Sequence, residues 1–341
     1  MNESTTAYES LLQEVMKRCS KVGAVLERAQ RNRRALLSQY ATGQRLRGLN
    51  EILCFLAAAE AAYGNAGPLQ EVRFLVTRGT ANLEVALEAL LAVEPTIVCD
   101  AMRDLMEMEL LLDDFLHDPA AIRDWLTLDK KTRRKRFDPV KLRERFAARV
   151  GQDPKALGLS SCYALHSELL HVTPLISPFG RGVVPYEHPF DVEILFAEVF
   201  EHARRTVYAI YRLAEKLARA DHGLAHPGGG LPEASKAWIS TEAMLGFVLA
   251  LHAEQRRRAG HPDWEEGYDT EHLSVPATVG MNVYREAFRL MAKNEITSDS
   301  GEPVRTGELL QAVIPIVLEK ASKATTNWLP DREEDAGVNR G

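Results

Sequence analysis

Apolar residues recur along most of the chain at the three- and four-residue spacing of an α-helix, and no stretch alternates apolar and polar positions between hairpin turns. The pattern predicts an all-α protein. One amphipathic run extends from about Tyr8 to Tyr40, and a second from about Leu46 to Tyr63, where the GNAGP cluster stops it. A third opens at Pro68 and reaches about Val93. Pro95 suits the first turn of a helix, where its missing N–H would have had no partner, and the very apolar helix it opens runs to about His117. Asp118-Pro119 restarts the chain as a short helix through Trp125 and Leu126.

A basic run, KKTRRKRFDPVKLRERF, follows; its first part reads as a solvated loop between helices. Asp153-Pro154 opens a helix that ends near His171, because Pro174, Pro178, Gly180 and Pro185 forbid its continuation. The next segment, TPLISPFGRGVVPYEHP, is a rigid irregular loop of a length that tends to be functional. A long helix from Asp191 to Ala220 leads into DHGLAHPGGGLP, the best linker in the chain. Helices at about Glu233–Ala259, Val279–Lys293 and Thr306–Lys323 complete the pattern, with an acidic loop, HPDWEEGYDTEH, between the first two. The expected architecture is a multi-helix bundle over residues 1–229, a smaller helical C-terminal domain over 230–330 and a disordered tail over 331–341. No internal repeat is present.

At 45% hydrophobic and 26% charged residues the composition is that of a globular protein. No stretch approaches the roughly 20 apolar residues that span a bilayer, and the polar N-terminus is unlike a signal peptide, so a cytoplasmic protein is expected. Cys19, Cys54, Cys99 and Cys162 form no CxxC pair and read as core thiols rather than a zinc site or disulfides. The formal charge of −6 hides an asymmetry. Lys130 to Arg149 holds ten basic and two acidic residues, and Arg28 to Arg47 holds six arginines and no acid. Such tracts on an acidic chain point to contact with phosphates or an acidic partner, Lys130, Lys131, Arg133, Arg134, Lys135 and Arg136 being the candidate nucleic-acid contacts.

Tyr163, Ser167 and His171 recur every four residues and so share a helix face at the C-terminal end, where the macrodipole favours a charged histidine placed for proton transfer. The same three residues can equally cap carbonyls and bond neighbouring helices. Arg103 and Glu107, four apart in AMRDLMEMELLLDDF, form either an internal ion pair or part of a phosphate-positioning site with His171, while Asp113 and Asp114 are expected to face solvent. Gly228-Gly229-Gly230 lacks the lysine of a phosphate loop, and Gly223 and Pro227 spoil the helix that would let His222 and His226 share a metal. No metal and no cofactor is expected.

The R-x-x-x-E pattern in an apolar helix, the adjacent DPAAIRDWL segment and the Y-x-x-x-S-x-x-x-H stripe before a proline loop resemble the bacterial helical proteins grouped as domain of unknown function 5677, over roughly residues 70–220. A looser similarity is to HEPN domains, helical bundles that are often metal-independent ribonucleases of defence systems. His171 would match their histidine. Their arginine is absent, since Ala164, Leu165, His166 and Ser167 occupy the positions four to seven before it, and Arg103 would have to substitute. Three readings are open. The chain is a non-catalytic interaction component of a bacterial defence or stress-response system, with a protein partner or further copies of itself; a ribonuclease or RNA-binding effector using His171, Ser167, Tyr163, Arg103 and Glu107; or a small-molecule-binding bundle. The missing arginine and the acidic net charge favour the first.

Overall fold

The computed structural model describes residues 3–65, 67–151, 189–218, 222–258, 273–292 and 306–325, and the regular structure among them is helical. The run expected from Tyr8 to Tyr40 divides into α1 (Glu3–Arg18) and α2 (Ser20–Tyr40), because the chain leaves helical geometry at Cys19 (φ −135°, ψ 66°) and folds back. Glu9 on α1 then meets Arg34 on α2 at 3.0 Å. Next come α3 (Gln44–Asn65), the single turn α4 (Gly67–Gln70) and α5 (Arg73–Ala92). Val93 closes α5 in the left-handed region (φ 59°), a costly place for a β-branched residue, where its N–H reaches the Ala89 and Leu90 carbonyls.

Pro95 opens α6 (Pro95–His117), and α7 (Ala120–Thr127) follows. The basic run is α8 (Lys130–Arg136) rather than the solvated loop expected of it. Asp129 caps it by accepting the Lys131 and Thr132 amides, and lysine and arginine are good helix formers. Asp138 does the same for α9 (Pro139–Arg149), accepting the Val140 amide. The remaining described helices are α10 (Pro189–Ala218), the turn α11 (Pro227–Gly230), α12 (Pro232–Arg258), α13 (Val275–Ala292) and α14 (Thr306–Ala324). The helix opened by Asp153, the proline-rich loop, the acidic loop and the tail lie outside the described residues.

Helix α10 is the axis of the bundle, packing on α3, α5, α6 and α12. Leu195, Phe196, Val199, Phe200, Ala203 and Val207 are all buried, as expected of a helix with neighbours on several sides. The apolar core is continuous across residue 229: Trp238 of α12 belongs to the same buried cluster as Ile52 of α3 and Phe200 of α10. Helices α12 and α13 approach most closely at Gly246 and Gly280. A Cβ on Gly246 would lie 2.2 Å from the Ala277 carbonyl oxygen, and one on Gly280 2.3 Å from that of Ala243, so only hydrogen fits at either position.

Among the described residues no helix is long and apolar enough to cross a membrane. Of the three described cysteines, all expected in the core, only Cys99 is buried. Cys19 and Cys54 are exposed, Cys19 lying at the break between helices, and Cys162 is outside the described residues.

Candidate functional site

The densest buried polar chemistry sits on α10, in the sequence Glu198-x-x-Glu201-His202-x-Arg204-Arg205. Helical spacing makes these residues one another's neighbours. The Arg204 guanidinium donates to Glu201 at 2.9 Å and Arg205 Nε to the same carboxylate at 2.6 Å, while His202 Nε2 stands 3.4 Å from Glu198. His202 and Arg204 are each only 3% exposed. From α12, Trp238 donates its indole N–H to Glu201 at 3.1 Å, and the Arg204 guanidinium lies over its ring, 4.4 Å from the centroid. Burial alone would raise the Glu201 carboxyl, but Arg204 and Arg205 outweigh it and hold the group well below the usual carboxylate range.

The opposite fate meets Glu242, one turn beyond Trp238 on α12. It is 4% exposed, and burial, together with the Glu201 charge, pushes its carboxyl up to about 8. Among the described residues its side chain accepts a hydrogen bond from the Ser274 hydroxyl alone, at 2.7 Å, and that hydroxyl in turn accepts the Ala277 amide at the start of α13. The two carboxylates therefore behave as a pair, one ionised and one neutral at pH 7.

Arg103 and Glu107 stand on α6, beside this row. The register of the two helices is fixed by Cys99, whose thiol burial and Glu198 push up to about 12, and by Leu105, whose carbonyl accepts from the Thr206 hydroxyl at 3.5 Å. Cys99 and Leu105 thus face Glu198 and Thr206, so the two helices run in the same direction. Arg103 and Glu107 are 3.5 Å apart and about one third exposed, a half-buried pair. Tyr163, Ser167 and His171 lie outside the described residues.

Two further charge groups tie helices together. Glu193 at the start of α10 accepts the Tyr40 hydroxyl at 2.6 Å and pairs with Arg45 at 2.5 Å. Asp114, expected to face solvent, is instead 5% exposed and takes both Arg145 (2.8 Å) and Arg149 (3.1 Å) from α9, which folds over the end of α6, while Asp113 also pairs with Arg149. Burial opposes its charge, but the two arginines win and lower the Asp114 carboxyl.

These pairs also change the picture of the basic tracts. Of the six arginines between Arg28 and Arg47, Arg28 pairs with Glu94, Arg33 with Glu88, Arg34 with Glu9, Arg45 with Glu193 and Arg47 with Glu233, so this tract serves the fold. On α8, Arg133 donates to the Trp125 carbonyl at 3.4 Å and lies against its ring, and Arg136 pairs with Asp118 and Asp124. Lys130, Lys131, Arg134 and Lys135 are exposed, form no ion pair among the described residues, and line a shallow surface hollow of about 480 Å³ with Asp138.

No group of three or more metal-ligating side chains exists among the described residues. His222 and His226 accept the Leu224 and Gly228 amides and both lie edge-on to Tyr211, as structural caps. The buried row on α10 is not among the candidates that the sequence pattern singles out. Its signal was there, since a 30-residue helix with apolar residues on most faces must be central, and its charges must then be buried and paired. Compared with protein-family models, curated proteins and solved structures, the chain matches none.

Proposed function

We propose that this chain is a non-catalytic helical interaction component. The observation that carries the reading is how the charges divide. Three charge groups set among the helices are compensated internally: Glu201 with Arg204 and Arg205, Glu193 with Arg45, Asp114 with Arg145 and Arg149. Such groups give the packing its register, and breaking any of them leaves an uncompensated charge. On the exposed α8, by contrast, Lys130, Lys131, Arg134 and Lys135 stand together without a counter-charge among the described residues. A bacterial defence or stress-response assembly, the setting implied by the sequence resemblance, would use a component of this kind.

The test is RNA cleavage. Purified protein and the His171→Ala and His202→Ala variants are incubated with total cellular RNA and followed on a gel. Intact RNA in all three lanes is expected. Cleavage by the wild type that either variant abolishes would overturn the reading and make the protein a ribonuclease.

A further inference from the structure

We propose that α8, with the aromatic platform beside it, is a docking surface for the phosphodiester backbone of a nucleic-acid strand. The inference rests on the reading of the chain as an interaction component and names the chemistry of one partner. Six of the seven residues of α8 are lysine or arginine, none of its side chains is buried, and the chain as a whole is at −6. Lys130 with Arg134, and Lys131 with Lys135, place like charges four residues apart, an unfavourable arrangement in the free protein. Burial gives no reason for it. A polyanion would turn this repulsion into attraction.

Geometry selects the kind of polyanion. The two pairs form adjacent rows, each spanning about 6 Å along the helix, which is comparable with the spacing of successive phosphates on a strand. Arg133 and Arg136 are used otherwise: by anchoring to Trp125, Asp118 and Asp124, they fix α8 to α7 and leave the other four cations facing outward. Trp125 in turn stacks on Phe74 of α5, with ring centroids 5.1 Å apart and planes 9° from parallel, and Phe74 stays 39% exposed. An aromatic surface next to a row of cations is what a strand with unstacked bases engages. An acidic peptide can also be held by a basic cluster, but it has no planar bases to engage the exposed Phe74 ring, so the aromatic surface favours the nucleic-acid strand.

The experiment measures binding of labelled oligouridylate, oligothymidylate, a DNA duplex and polyglutamate to the full chain by anisotropy across a salt series. Four phosphates neutralised on a single strand give a slope of log K against log salt near −2.8, so affinity for oligouridylate falls roughly fifty-fold from about 50 to 200 mM salt. Lys131→Gln with Lys135→Gln should halve that slope, while Arg18→Gln with Lys323→Gln, removing two exposed cations elsewhere, should leave it unchanged. Phe74→Ala should weaken single-strand binding about tenfold without altering the slope. Circular dichroism checks that each variant is folded. RNA preferred over DNA, or the reverse, assigns the strand. Loss of binding that is equal in the two double variants, or no salt-dependent binding of any nucleic acid, would overturn the proposal. Polyglutamate bound as tightly as oligouridylate would also overturn it, yet leave the interaction reading standing with an acidic protein as partner. Cleavage of the RNA by wild type, abolished by His171→Ala or His202→Ala, would instead remove the non-catalytic reading and leave the docking surface in place.

Discussion

Replacing Glu242 by Gln should make the protein markedly less sensitive to alkaline pH. In the folded state burial and the neighbouring Glu201 charge raise the Glu242 carboxyl from its ordinary value of 4.5 to about 8, with Glu198 adding to the rise and Arg204 and Ser274 opposing it. The unfolded chain gives up this proton first. Stability is therefore fully present below the ordinary carboxylate range and falls as pH climbs toward 8, beyond which both states are ionised and the curve flattens. Each unit of that window is worth about 1.4 kcal/mol, so wild type should lose ~4 kcal/mol more than the variant between about pH 5 and pH 9. Glutamine keeps the volume and an acceptor for the Ser274 hydroxyl but cannot ionise, and every other titrating group is common to both proteins. Guanidinium unfolding at several pH values gives the two curves, and their difference isolates the one carboxyl. Parallel curves would refute the reasoning and show that Glu242 is ionised, or solvated, in the folded protein.

Gly246→Ala should destabilise by about 3 kcal/mol, because its Cβ would meet the α13 backbone rather than a side chain that can turn away; thermal unfolding measures it. Asp114→Asn should cost about 2 kcal/mol in denaturant unfolding, since Arg145 and Arg149 lose their shared anion. Its wild-type contribution should fade as pH drops through the lowered Asp114 value, which an acid titration of wild type against the variant reads. Tyr63→Phe should cost about 1 kcal/mol by removing the buried hydroxyl that donates to the Ile210 carbonyl at 2.7 Å, with no change in nucleic-acid binding.

The helices were legible because their apolar spacing and their proline and glycine stops are local. Pro95 and Asp118-Pro119 each mark a helix boundary that the structure keeps. The break at Cys19 was not legible, since no proline or glycine stands there and only the fold-back of α1 onto α2 requires it. Asp113 and Asp114 were misplaced for a related reason: their environment is made by α9, some thirty residues later, and nothing local announces that it covers the end of α6. The Arg28–Arg47 tract looked like a binding surface because its counter-charges, Glu88, Glu94, Glu193 and Glu233, are distant in sequence. Asp129 was a readable cap for α8, outweighed by the charge of the run that follows it.

The contact between Gly246 and Gly280 also works as a vernier. Sliding α13 along α12 by one residue would bring a Cβ against backbone, so the pair can dock in one setting and in no neighbouring one. Ser274 sits just ahead of α13, and its reach to Glu242 depends on that setting, since a slip of one turn, about 5.4 Å, would carry the hydroxyl away. Backbone fit between two glycines thus fixes the distance over which the buried acid finds its one donor among the described residues.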